Sequence, residues 1–465
     1  MKMLLKGEWI STDKTLEVLN PYDSTVIDTV PLATAEMATQ AVDFAATYDF
    51  RLTAWERYEI LFGVQKRILE REDELAHIIS QECGKTLKDA HTEVKRSALT
   101  FLFSAEEAKR ITGEILNVDA AQGHAKRMAL AIREPVGIVV AIAPFNFPLN
   151  LVAHKVGPAI AANNAVVLKP ASSTPLTALK MAEIFLESGL PPEMLQVIIG
   201  SGKEIGDTLI THPEVAKVTF TGSVGVGKSI CAKVGLKPVC MELGGNDPVI
   251  ILADADLDKA VPITVEGAFG TNGERCTSIK RVIVEEAIAD RFIEKFVPAT
   301  QKLVSGNQLE DGVDIGPLIN TDAAIEIEKR INDAVAKGAK LLCGGVRQGA
   351  IIPATVLDNV PLDCDLVREE TFGPVAPILR VANYEEAIKV ANGTEFGLQS
   401  GIFTNNMDLV MDAVKRIRAG AVMHNLGPGF RAEHLPFGGV KDSGVGREGV
   451  KYTVESMTSL KTVVL

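Results

Sequence analysis

The chain has 465 residues, 46% hydrophobic and 23% charged, which excludes a disordered or fibrous protein and allows about three structural units. Its net charge of −12 argues against nucleic-acid or anionic-membrane partners, so an anionic ligand would need local positive charge. The amino terminus lacks a signal-peptide pattern, no run reaches the roughly 18 apolar residues of a membrane helix, and the six cysteines show no CxxC or metal-ligand spacing, so a cytoplasmic protein without a metal is expected.

Residues 55–112 lack Pro and carry helical periodicity, as in Tyr58, Leu61, Val64 and Ile68. Gly113–Arg133 reads as a hairpin turning at Ala120–Gly123. From about residue 135 short apolar runs alternate with amphipathic stretches. Val136–Ala143, Ala165–Leu168, Gln196–Ile199, Lys217–Thr221 and Pro248–Leu252 are predicted strands. Pro175–Ser188, Glu204–Thr211 and Val226–Val234 are predicted helices between them. Such alternation predicts a parallel sheet covered on both faces, with ligands at the carboxyl ends of its strands. A second alternating block runs from Ser278–Glu285 to about residue 425. Leu460–Leu465 reads as a terminal strand, whose edge can pair within the chain or with another subunit.

The chemistry concentrates in a few loops. Cys276 lies in Gly273-Glu274-Arg275-Cys276-Thr277, and Glu242 opens Glu242-Leu243-Gly244-Gly245. A thiol and an acid supply the two parts of covalent carbonyl chemistry: a nucleophile, and a base for the water that cleaves the intermediate. Two prolines bracket Asn146 in Pro144-Phe145-Asn146-Phe147-Pro148, a loop that can aim an amide donor at an oxyanion or merely satisfy a turn. Lys169, after an apolar strand, can bond ribose hydroxyls or cap the strand end. Gly222-Ser223-Val224-Gly225-Val226-Gly227-Lys228-Ser229 matches the Walker A pattern, which alone would predict a nucleotide triphosphatase. Gly200–Gly206 misses the dinucleotide fingerprint by one residue and reads as an ordinary strand-to-helix turn.

Taken together, Pro144–Pro148, Lys169-Pro170, Phe220–Ser223, Glu242–Gly245, Gly273–Cys276, Glu369-Glu370-Thr371-Phe372-Gly373-Pro374 and Pro436-Phe437-Gly438-Gly439-Val440-Lys441 resemble the NAD(P)-dependent aldehyde dehydrogenase superfamily, in family order from about residue 5 to the terminus. The resemblance makes the Walker match coincidental. It implies two Rossmann-like parallel-sheet domains and a small β oligomerisation element. Residues 1–112 and 136–242 would form the NAD(P)-binding domain, 243–445 the catalytic domain, and 113–135 with 446–465 the element joining a homodimer or homotetramer.

The resemblance also implies roles. Cys276 would be the nucleophile and Glu242 the general base, with Asn146 and the Cys276 amide as the oxyanion hole. Lys169 would hold the adenosine ribose, Gly222 and Ser223 the pyrophosphate, and Glu370 the nicotinamide ribose with Phe372 beside it. An acid in place of Ser172 is usual in NAD-preferring members; a hydroxyl there favours acceptance of NADP. Arg96, Arg275 and Arg431 match arginines that hold the substrate phosphate in the non-phosphorylating glyceraldehyde-3-phosphate dehydrogenase branch, and Thr277 joins them as a substrate contact. Phe147 replaces that branch's Tyr, which opens sulfolactaldehyde, phosphonoacetaldehyde and succinic semialdehyde as substrates. The chain also looks like archaeal lactaldehyde dehydrogenases, whose substrate carries no anion.

Overall fold

A computed structural model describes residues 1–123 and 127–465; residues 124–126 of the expected hairpin lie outside the described residues. The first sheet has eight strands in the order Gly444–Val445, Val239–Glu242, Val215–Thr221, Ile138–Ile142, Ala165–Lys169, Leu195–Val197, Met3–Leu5 and Glu8–Ile10. From Val239–Glu242 to Leu195–Val197 all neighbours run parallel, and the outer strands are antiparallel. The near-continuous Val, Ile and Ala runs of the central strands follow from burial on both faces. From Ile138–Ile142 the chain steps outward through Ala165–Lys169 to Leu195–Val197, then returns to the other side with Val215–Thr221. That reversal opens a crevice beyond the carboxyl ends of the strands, the usual ligand position in such sheets.

The second sheet has seven strands in the order Lys340–Cys343, Thr355–Asp358, Val375–Val381, Ile279–Glu285, Asp247–Ile251, Gln399–Phe403 and Ala421–His424. Only the Lys340–Cys343 edge is antiparallel. Separate apolar cores fill its two faces, one under helices Leu257–Phe269 and Glu286–Thr300, the other under Thr321–Ala336 and Tyr384–Ala391. The predicted strands and helices of the first block are present with ends displaced by one or two residues, but Pro248–Leu252, expected in the first sheet, forms Asp247–Ile251 in the middle of the second. The other exception is Glu204–Thr211, which becomes a wide turn, Gly202–Gly206, before the short helix Asp207–Thr211.

The third sheet has the order Thr458–Val464, Ala129–Pro135, Glu114–Leu116. The terminal strand therefore pairs within its own chain, from Thr458 opposite Pro135 to Val464 opposite Ala129. The sheet leaves Ile115 76% and Leu460 61% exposed. Of residues 446–465, only this strand joins the small sheet. Helix Val450–Ser456 sends Val450 and Val454 into the core of the first sheet and packs on helices Leu87–Ala108 and Asn150–Ala161.

Candidate active site

Cys276 is delivered by a backbone that L-residues adopt reluctantly. After helix Leu257–Phe269, Thr271, Asn272 and Gly273 lie successively at φ 54°, 57° and 69°. Left-handed non-glycine residues cost on the order of 1–3 kcal/mol each and persist where the surroundings over-determine them. Here Asn272 donates to the carbonyls of Gly84 (3.1 Å) and Pro317 (2.9 Å) and accepts from the Gly316 amide (2.8 Å). The Thr271 amide donates to Asp89 at 3.0 Å. Gly273 is required twice, by its φ and because a Cβ there would strike the Gly373 carbonyl. Beyond this loop Cys276 is half-buried just ahead of strand Ile279–Glu285. Burial pushes its thiol up to about 12, against the opposing pull of the Lys280 ammonium, so the resting thiol is protonated.

Glu242 ends its strand only 3% exposed, and neither carboxyl oxygen has a hydrogen-bond partner among the described residues. Burial, then the neighbouring Glu448 carboxylate, raises it well above the usual range, while Lys155, Arg431 and Arg447 oppose the shift. Gly438 lies against this acid, where a Cβ would come within 2.7 Å of Oε1. Asn146 is buried and donates through Nδ2 to the Glu274 carbonyl (2.8 Å), which ties its loop to the Cys276 loop. The Asn146 carbonyl accepts from the buried Lys85 ammonium at 2.6 Å. Lys85 is paired with Glu93 at 2.6 Å, and Glu93 caps the amides of Leu149 (2.8 Å) and Asn150 (3.0 Å). Lys85 and Glu93 were not singled out from the sequence.

At the crevice of the first sheet lies a cavity of about 990 Å³. Lys169 lines it, bonded among the described residues only to the Pro170 carbonyl at 3.2 Å, with its ammonium lowered by burial to about 8. Gly225 and Val226 at the start of helix Val224–Lys233 line it too, beside Thr221, whose buried hydroxyl has no partner among the described residues. Ser223 is the exposed N-cap of that helix and leaves its side chain unbonded to it, while the Gly222 amide donates to the Glu242 carbonyl at 3.1 Å. Half-buried Ser172 lies 3.4 Å from the Gly200 carbonyl.

Lys228, the lysine of the Walker match, instead pairs with Asp442 at 2.6 Å and does not line the cavity. The Gly200–Gly206 loop, read from the sequence as an ordinary turn, contributes Ser201, Gly202, Lys203 and Gly206 to the wall. Its near-fingerprint glycine spacing was the available signal. Lys169, Lys203 and Lys233 outnumber the one carboxylate in the wall, Asp207, which Lys233 already pairs at 2.8 Å. A helix amino terminus, an unpaired hydroxyl and surplus positive charge fit a phosphate-bearing dinucleotide.

Between the two sheets, Glu370 accepts from the Gly245 amide (3.0 Å), lies 3.9 Å from the Lys280 ammonium, and is raised by burial. Phe372 meets Phe145 edge-on at 5.8 Å. Lys280 donates to the Arg275 carbonyl at 2.5 Å and the Cys276 carbonyl at 3.3 Å, so it fastens the Cys276 loop to the Glu370 side.

The three arginines do not share one partner. Arg96 pairs through Nε with Glu433 (2.6 Å), and Arg431 pairs with Glu448 (3.3 Å) and stands 3.9 Å from Glu433. Arg275 turns away to the Glu266 carbonyl (2.6 Å) and carboxylate (3.4 Å), and lines a separate 400 Å³ pocket with Phe430 and Gly429. Thr277 is half-buried, its carbonyl and hydroxyl both facing Gly429.

A roomy crevice at a sheet reversal, in a chain that also carries a half-buried thiol and a buried acid without a partner among the described residues, fits a dinucleotide-dependent oxidoreductase. Residues 9–463 match the model of the aldehyde dehydrogenase family. The chain is 42% identical to a 3-sulfolactaldehyde dehydrogenase of Priestia aryabhattai over 464 residues, covering 100% of this chain and 97% of that one. It is 42% identical to a lactaldehyde dehydrogenase of Methanocaldococcus jannaschii over 471 residues, covering all of both. The crystal structure of the glyceraldehyde-3-phosphate dehydrogenase GapN from the same organism, complexed with NADP, superposes with a TM-score of 0.94 at 41% identity, over 98% of this chain and 100% of that one. The chain belongs to the aldehyde dehydrogenase family and catalyses NAD(P)-dependent oxidation of an aldehyde.

Proposed function

We propose that the chain oxidises a short aldehyde with an anionic far end to the carboxylic acid, with NADP accepted as cofactor. The observation that carries this reading is the charge around Glu448 and Glu433. Arg96, Arg431 and Lys155 face these two carboxylates, while burial holds His154 towards its neutral form and Glu242 towards its protonated form. These three cations outnumber the two carboxylates they face. Arg96 also keeps both terminal nitrogens free of hydrogen bonds among the described residues, with its guanidinium 5.9 Å from the Phe147 ring beside Asn146. Sulfonate, phosphate or carboxylate would suit such a site, and uncharged lactaldehyde would not use its charge.

In this reading the Cys276 proton passes to solvent water, the thiolate attacks the aldehyde carbon, and the Asn146 amide and Cys276 N–H hold the oxygen of the resulting thiohemiacetal. Bound NADP supplies the hydride acceptor, with Lys169, Ser172, Gly222 and Ser223 at its adenosine and phosphate end and Glu370 and Phe372 at its nicotinamide end. Glu242, once its own proton has left to solvent, takes a proton from water as that water attacks the thioester and passes it to the departing Cys276 sulfur, which releases the acid and restores the thiol. The exposed three-stranded sheet would serve as the subunit contact of a homo-oligomer.

The test is kcat/KM for sulfolactaldehyde, glyceraldehyde 3-phosphate, succinic semialdehyde and lactaldehyde, each with NAD and NADP. The anionic aldehydes are expected to lead; a highest value for lactaldehyde would refute the reading. Ser172→Glu should shift the NADP-to-NAD preference by about tenfold or more, equivalent to about 1.4 kcal/mol, because a carboxylate repels a 2′-phosphate.

A further inference from the structure

Glu433 is only 4% exposed, yet three cation-forming side chains from separate segments meet on it. Arg96 reaches its Oε1 from helix Leu87–Ala108 (2.6 Å), His154 reaches its Oε2 from helix Asn150–Ala161 (2.6 Å), and Arg431 approaches Oε2 from its own loop (3.9 Å). Burial opposes the charge, but the His154 hydrogen bond and the two arginines outweigh it and hold the carboxyl far below the usual range. The contact geometry is selective. Arg96 uses only Nε, so its two terminal nitrogens, the pair suited to a bidentate anion, are left to point elsewhere. Arg431 places its Cζ over Phe437, 3.9 Å from the ring centroid, and spends Nη2 on Glu448, so of the two arginines only Arg96 keeps its whole fork. An arginine fixed by one edge retains its fork for a ligand and has less freedom to lose on binding.

We propose that Glu433 is a positioning residue that sets the preference for anionic aldehydes by fixing Arg96 through its Nε edge, with its two terminal nitrogens left for the substrate. This rests on the anion-binding reading above. The role differs from that of a competing internal anion, which would occupy the fork of Arg96 rather than its Nε edge.

The test compares the full-length wild type with Glu433→Gln, Glu433→Asp and Arg96→Gln, using succinic semialdehyde and uncharged lactaldehyde with saturating NADP. The readout is the ratio of kcat/KM for the anionic to the uncharged aldehyde, with KM and kcat resolved separately. Glu433→Gln is expected to lower the ratio about tenfold, through KM for succinic semialdehyde, and Glu433→Asp to recover part of it. Equal losses on both aldehydes would mean a structural role and overturn the proposal. A rise in the ratio would also overturn it, showing that Glu433 competes with the substrate. If Arg96→Gln collapses the ratio and Glu433→Gln does not, anion binding stands and the role of Glu433 falls. If Arg96→Gln leaves the ratio at its wild-type value, the anion-binding reading fails and the proposal with it. Thermal melts of all variants separate folding loss from these outcomes.

Discussion

The surroundings of Glu242 and of Glu433 are almost equally dry, with the two side chains 3% and 4% exposed, yet they drive the two carboxyl groups in opposite directions. Around Glu242 no donor among the described residues reaches either oxygen, and burial with the nearby Glu448 carboxylate raises its pKa. Around Glu433 a histidine and two arginines supply hydrogen bonds and charge, so the acid gives its proton up. Burial alone therefore decides nothing about a carboxyl group; the partners that arrive with it do. An unpartnered acid suits the exchange of protons with water, whereas a saturated one suits holding other groups still.

The contrast can be broken most forcefully through turnover. Glu242→Gln should lower steady-state NADPH formation by about 10²–10⁴-fold while leaving a first-turnover burst, because acylation of Cys276 does not need the base that hydrolyses the thioester. A variant without a burst would show that Glu242 acts earlier. Stability comes next. Glu433→Leu should cost about 3–5 kcal/mol in denaturant unfolding, since it strands buried cations, while Glu242→Leu should be neutral or stabilising because nothing depends on its charge. Similar losses for both would erase the distinction.

The smallest effect lies in pH. For Glu242 the folded pKa lies above the unfolded value of about 4.5, so between the two the unfolded chain binds fewer protons and stability falls as pH rises. Glu242→Gln should remove that decline, so its stability relative to wild type should improve as pH rises from 5 to 8. For Glu433 the folded value is depressed, so its contribution is present above the unfolded pKa of about 4.5 and disappears only in acid. Melting curves of wild type and variant across this range measure both.

The sequence made Cys276, Glu242 and Asn146 legible because each sits in a short motif whose chemistry is local. What holds them was not legible. Arg96 and Glu433 are 337 residues apart in sequence, Lys155 and Glu448 293 apart, and Lys85 and Asn146 61 apart. Periodicity carries no information about which distant side chains will meet. Nor does a motif tell where a long side chain turns: Arg275 adjoins the nucleophile in sequence, yet its guanidinium bonds to the end of the preceding helix. The strands were found because continuous Val and Ile runs signal burial on both faces, but their ends shifted because hydrogen-bond register is set by neighbours. The terminal strand was readable as a strand, while its partner, Ala129–Pro135, depends on the path of the whole chain.

The left-handed turn at Thr271–Gly273 bears on how this enzyme would age. Its tethers come from Gly84 and Asp89 on one side and from Gly316 and Pro317 on the other, so the thiol keeps its aim only while separate parts of the chain stay in register. A small loosening between those parts would let the turn relax to a cheaper backbone and carry the thiol with it. Activity on warming is therefore expected to fall before the cores of the sheets come apart, which comparing inactivation and melting temperatures would check.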